Sequence, residues 1–158
     1  MTRVCLVGDD DVDLRAELLA SETARDALSS YELVRPYVNC VAVDTISLGA
    51  AVSLCNDVNW YLRRYVADAL VLEPSISETE WLSRSLATAV RNDRIAADQT
   101  DTFLKIYGVV EPTEDSGGRP GLAEPMFARR VGGETPTYDL RDVTETLVVR
   151  VTATEFGA

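Results

Sequence analysis

Four aspartates, Asp9, Asp10, Asp11 and Asp13, follow the short apolar run Arg3–Gly8. Carboxylates at the end of a strand are hard oxygen ligands suited to Mg²⁺. Asp44 closes a second apolar run, Val41-Ala42-Val43. A metal or phosphate-handling reading groups it with Asp9 and Asp10. The plainer role of these aspartates is negative charge at the start of a helix, where the helix dipole favours it. A second cluster is Asn56, Asp57, Asn59, Trp60, Tyr61, Arg63, Arg64 and Tyr65. Trp, Tyr and Arg are enriched where proteins bind one another, and an arginine over an aromatic face attracts it without long-range charge. The plainer alternative is a buried central helix whose arginines pair with Asp57 and Asp68. The third cluster is Phe127, Arg129 and Arg130, between Gly- and Pro-rich turns. An aromatic with arginines on a loop suits a protein or RNA partner, and a solvated hairpin is the plainer alternative.

Much chemistry is excluded. The chain has no histidine, so Ser-His-Asp and Cys-His catalysis and histidine metal ligation are out. It has no GxxxxGK[ST] phosphate loop, no GxGxxG after the first strand and no GxSxG elbow. Cys5, Cys40 and Cys55 are an odd number at wide spacings, which reads as three buried free thiols in a reducing compartment. No cofactor is expected, with Mg²⁺ entering only under the aspartate reading. The N-terminus shows no leader, and no apolar stretch is long enough to span a membrane.

Composition narrows the setting. There are 26 acidic and 15 basic residues, for a net charge of −11, and the basic set is fourteen arginines and one lysine, Lys105. An excess of one sign repels itself and disfavours the compact state. At about 1 M salt the Debye length is about 3 Å and the repulsion is screened. In this the chain resembles the cytosolic proteins of halophilic archaea, which implies a cytoplasmic location at high salt. A GC-rich genome coding an ordinary acidic protein is the alternative. The opening segment, an apolar strand, acidic residues and a helix with Leu14-Arg15, is similar to that of response-regulator receiver domains. That resemblance implies Mg²⁺ at Asp9 and Asp10, a phosphoacceptor at Asp44 and a partner role for Lys105. A receiver has a further strand and helix between the first two of these sites.

These side chains need elements to hold them. Arg3–Gly8, 39–46, 102–110 and 143–154 read as strands, the last strongest, with Leu147, Val149 and Val151 on one face. A helix is expected over Asp13–Ser29, broken near Ser21. A long helix is expected from Leu48 to Leu72, capped by Ser47, with Leu48, Val52, Cys55, Val58, Leu62, Val66 and Leu70 at near-helical spacing. Ser77 and Glu80 have capping-box spacing and open a third helix carrying Trp81, Leu82 and Leu86. Residues 111–137 hold four of six prolines and five of nine glycines, and read as a flexible exposed loop with a short strand at 126–131.

The expected fold is one α+β domain over residues 1–158, a mixed sheet of four to five strands with three helices mainly on one face. A doubly wound α/β sheet is the alternative. At 158 residues roughly 70% of the unfolded surface is buried, enough for a core. Function points away from an enzyme and toward an interaction or regulatory module of a high-salt cytosol, with a protein partner and room for self-association. A degenerate receiver-like domain is the second reading and an RNA-binding module the third.

Overall fold

The computed structural model describes residues 1–157. Seven strands form one sheet: β1 (Thr2–Gly8), β2 (Cys40–Thr45), β3 (Val66–Leu72), β4 (Trp81–Ser83), β5 (Phe103–Val110), β6 (Gly121–Arg129) and β7 (Glu145–Arg150). Their order is β2-β1-β3-β4-β7-β5-β6. Every pairing is antiparallel except β4 with β7. The sheet is therefore mixed, and the doubly wound parallel alternative is overturned. Six helices accompany it: α1 (Leu14–Ala20), α2 (Glu22–Leu28), α3 (Leu48–Asp57), α4 (Asn59–Tyr65), α5 (Arg84–Arg91) and α6 (Ala153–Phe156). The class is α+β, with more strands and more helices than the sequence pattern suggests.

The α1–α5 side of the core holds Leu14, Leu18, Leu28, Val52, Leu62 and Leu86 against Val4, Leu6, Val41, Val43, Val71 and Leu82 of the sheet. Each such side chain contributes roughly 1.5–3 kcal/mol on burial. The opposite face folds on itself. Cys5 of β1 and Leu70 of β3 share a cluster with Tyr107 of β5 and Leu147 and Val149 of β7. The curl places Lys105 of β5 against Asp68 of β3, two strands that are not neighbours in the sheet.

Local chemistry explains most boundaries. Asp13 caps α1 by accepting from Ala16 N at 3.2 Å, so the cap is Asp13 and not the earlier aspartates. The helix pair breaks at Ser21, as its sequence suggests. Ser47 caps α3 through Ala50 N at 3.0 Å. The long helix does not continue: α3 ends at Asp57 after two poor helix formers. Helix α4 ends at Tyr65, and Val66–Leu72 is strand. Val66 and Leu70 fit a helical stripe, but the strand lets Leu70 and Val71 bury on opposite faces beside β1.

The third helix also starts late. Trp81–Ser83 is strand, Ser83 caps α5 through Leu86 N at 3.1 Å, and Ser77 and Glu80 belong to a turn. Residues 111–137 contain the nine-residue β6, longer and earlier than the short strand expected there. β6 is an edge strand. Glu124 and Pro125 together oppose Tyr107, a bulge between the pairs Gly108–Ala123 and Ile106–Met126. A proline and a bulge both disfavour pairing with a further strand.

The cysteines are all free and buried. The hydrogen bond with Cys40 and burial keep the Cys5 thiol protonated, and burial pushes Cys55 up to about 11. No helix among the described residues is long and apolar enough to cross a membrane.

Candidate functional site

Helix α4 carries the aromatic and arginine cluster, and the structure divides that cluster in two. Asn56 and Asn59 turn toward α5. Arg84 Nη1 donates to Asn59 Oδ1 at 2.7 Å, and Nη2 donates to Asn56 Oδ1 at 3.1 Å and to the Cys55 carbonyl at 3.4 Å. One guanidinium thus satisfies the carbonyl end of α3, where cations are favoured. The two asparagines join α3, α4 and α5 and are held inside the molecule's own bonding.

The other half faces outward. Leu62 is the buried anchor of α4. Trp60 is 55% exposed. The Arg64 guanidinium lies 4.6 Å from the centre of its ring, at the i, i+4 spacing that brings helix side chains together. Tyr61 and Tyr65 meet Trp60 edge-on, with centroids at 4.9 and 6.4 Å. Tyr61 is also hydrogen-bonded through its hydroxyl to Ser21, which ties α4 to the α1–α2 junction. Arg63 and Arg64 are exposed, and among the described residues neither makes an ion pair. The plainer alternative paired them with Asp57 and Asp68, but Asp68 is taken. Lys105 Nζ and Tyr107 Oη both donate to its Oδ2, at 2.8 and 2.7 Å. Burial first, and then the Asp68 carboxylate, raise the Tyr107 phenol above its ordinary value.

Asp68 also connects α4 to the third cluster. A cleft of about 220 Å³ runs along Leu62, Arg63 and Val66 to Asp68 and Glu155. Beyond Asp68, the Lys105 ammonium lies 5.8 Å from the ring of Phe127, which is 49% exposed. Phe127 packs edge-on against Phe156 at 6.4 Å, and Arg129 covers Phe103 at 5.7 Å. Arg130 departs from this group. It donates to both oxygens of Glu80, at 3.2 and 2.6 Å, and its side chain is 10% exposed. It belongs to the interior of the fold.

The aspartates do not assemble as the receiver resemblance implies. β1 and β2 are antiparallel with Arg3 opposite Asp44, so Asp44 lies at the far end of β1 from Asp9 and Asp10. Arg3 Nε holds Asp44 at 2.8 Å. The hydrogen bond from Arg3 lowers the Asp44 pKa. Among the described residues no three His, Cys, Asp or Glu side chains converge as a metal site.

Residue type made Trp60, Arg63, Arg64 and Phe127 legible in the sequence. The Arg84 anchor and the Lys105–Asp68 pair were not legible, because their partners are 25 to 37 positions distant. The one signal for the latter was that a chain rich in arginine keeps a single lysine there.

A model of a family of unknown function, DUF5804, matches residues 2–109, and the chain belongs to that family. The match spans α4, Asp68 and Lys105 and stops before β6 and β7. No curated protein and no solved structure matches the chain.

Proposed function

We propose that this chain is a non-enzymatic interaction module of a high-salt cytosol, and that the outer face of α4 is its contact surface. The observation that carries the reading is Trp60, exposed and roofed by Arg64 on a helix whose other side is anchored by Leu62. Trp60 does not stand alone, since Tyr61 and Tyr65 pack against its ring, and a contiguous exposed apolar patch rimmed by polar groups marks a binding surface. Tyr, Trp and Arg are the side chains that most often dominate binding energy. The segment Asn59–Tyr65 holds two arginines and no acidic residue, in a chain of net charge −11. Charge complementarity therefore selects an acidic protein segment as the occupant. The cation–π contact and the edge-on tyrosines are short-ranged, so they persist where salt screens distant charge.

A photo-crosslinking side chain placed at Arg63, in cells grown at high salt, tests this. The expected result is one dominant protein adduct whose crosslinked peptide is acidic, lost when Trp60→Ala is added. A Trp60→Ala chain that melts as wild type and gives the same adduct would refute the reading. Adducts to RNA would move it to nucleic acid.

The setting has its own test. If the excess of negative charge is held in check by salt, the melting temperature rises steadily from dilute buffer to about 2 M KCl, well past the roughly 0.1–0.2 M at which ordinary surface pairs are screened. A melting temperature that is flat or falling across that range would remove the high-salt assignment and leave the α4 surface untouched.

A further inference from the structure

A cavity of about 600 Å³ lies apart from α4. It opens where β1 ends, between the loop after β1, the loop before β2 and the loop after β5. Hydrogen bonds tie these three loops into one rim. Asn39 has a left-handed backbone (φ 56°). Its side chain accepts from Leu14 N and donates to the Asp9 carbonyl, both at 2.9 Å, and its own carbonyl accepts from Gly8 N at 2.9 Å. Gly8 makes the approach feasible, since a Cβ there would lie 2.6 Å from Asn39 Nδ2. Across the rim, Val38 N donates to the Pro120 carbonyl at 3.0 Å and Arg119 Nε to the Arg35 carbonyl at 3.1 Å. Gly117 (φ 65°) passes so close to Arg119 that a Cβ would lie 2.7 Å from its Nη1.

Both signs of charge face this space: Arg15, Arg35 and Arg119, and Asp10, Asp11, Asp115 and Asp13, the last of which also caps α1. In a chain with 26 acidic residues, arginines meet carboxylates easily. Yet among the described residues none of these three arginines is ion-paired.

We propose that this cavity binds a magnesium-bound polyphosphate, in the form of a nucleoside triphosphate or an inorganic polyphosphate chain. A bare phosphate chain meets repulsion from Asp10, Asp11 and Asp115. A bare cation meets three guanidinium groups, and among the described residues no three acidic side chains converge to hold it. The magnesium complex satisfies both sets. Mg²⁺ is ordinarily held by one or two carboxylates together with phosphate oxygens, and not by an all-protein cage. Guanidinium forks take the remaining phosphate oxygens in pairs. The volume falls within the roughly 300–1,000 Å³ of ordinary small-molecule sites. This site is independent of α4 and of Asp44.

Titration calorimetry in about 1 M KCl, where long-range charge is screened, tests the proposal with three probes: Mg-ATP, Mg-tripolyphosphate, and ATP with excess EDTA. Mg-ATP should bind, and removal of the metal should weaken it about tenfold or more. The pair Arg15→Gln/Arg119→Gln should weaken Mg-ATP about tenfold or more at an unchanged melting temperature. The pair Asp10→Asn/Asp11→Asn should reverse the metal preference, so that metal-free ATP binds more tightly than Mg-ATP. A misfolded chain does not reverse a preference. Equal binding of Mg-tripolyphosphate and Mg-ATP supports recognition of the phosphate chain, and binding of Mg-ATP alone supports a nucleotide site. No binding of either magnesium complex overturns the proposal. So does binding as tight with EDTA, or binding undiminished in the arginine pair.

Discussion

Glu80→Ala should lose about 3–5 kcal/mol of folding stability, the range for stripping one partner from a buried ion pair. That is a large part of the roughly 5–15 kcal/mol that holds a domain together. Glu80 receives Arg130 Nη2 at 2.6 Å and Arg150 Nε at 2.8 Å, and the three side chains are 10–18% exposed. The same guanidinium groups reach on to Thr100, Thr135 and the Asp101 carbonyl. One carboxylate thus ties β4 to the ends of β6 and β7 and to the loop before β5. Removing it leaves two cations facing each other with only neutral acceptors. Urea melts of the wild type and of Glu80→Ala measure the loss, and a loss under about 1 kcal/mol, the worth of an exposed pair, would mean that the network is solvated.

The same group sets an acid limit. Burial pushes the Glu80 carboxyl up, but the hydrogen bonds from Arg130 and Arg150 outweigh it and leave the pKa below the ordinary 4.5. A carboxylate with a depressed folded pKa stabilises the fold fully above its unfolded value, and that contribution fades as the pH falls through the folded one. Glu73 acts in the same direction: burial raises it, and bonds from Thr2 and Ser75 more than reverse this. The gap between wild type and Glu80→Ala should therefore be full near neutral pH and shrink below pH 4.5.

Glu80 also shows how far the sequence could be read. With Ser77 it has the spacing of a helix cap, and Ser77 Oγ does accept from Glu80 N at 2.9 Å. Its carboxylate is committed to arginines 50 and 70 residues away, and the chain after it runs on as strand β4. Strands β1, β2, β5 and β7, the cap at Ser47 and the break near Ser21 were legible because their signals are local: β-branched runs, turn residues, a hydroxyl before an apolar stretch. β3 was hidden because Leu62, Val66 and Leu70 fit both a helical stripe and, after Tyr65, a strand. β6 was hidden because Pro125 and its flanking glycines resemble a loop, and only the bulge accommodates the proline. The candidate site divides in the same way. Residue type identified Trp60 and Arg64. The antiparallel register that separates Asp44 from Asp9 and Asp10, and the rim that Asn39 closes, are long-range facts with no local mark.

The Lys105–Asp68–Tyr107 group should show the second large effect, and a double variant separates its causes. Asp68→Ala leaves the Lys105 ammonium between the Tyr107 and Phe127 rings, 5.5 and 5.8 Å from their centres, with no counter-charge. It also leaves the phenol of Tyr107, 6% exposed, without its acceptor. The expected loss is about 3 kcal/mol, at the low end for a broken buried pair, because Lys105 keeps 20% of its side chain exposed and can turn toward water. If the loss comes from the stranded charge, adding Lys105→Met should recover most of it, since an apolar chain of similar length fills the same space beside the two rings. If it comes from the phenol, the double variant should remain as weak as Asp68→Ala, and Tyr107→Phe should restore it instead. Urea melts of the wild type, the three single variants and the two double variants separate these cases. Recovery through Lys105→Met would show that the chain keeps its one lysine as a compact counter-charge to Asp68. Failure of both rescues would mean that neither the stranded charge nor the orphaned phenol by itself accounts for the loss.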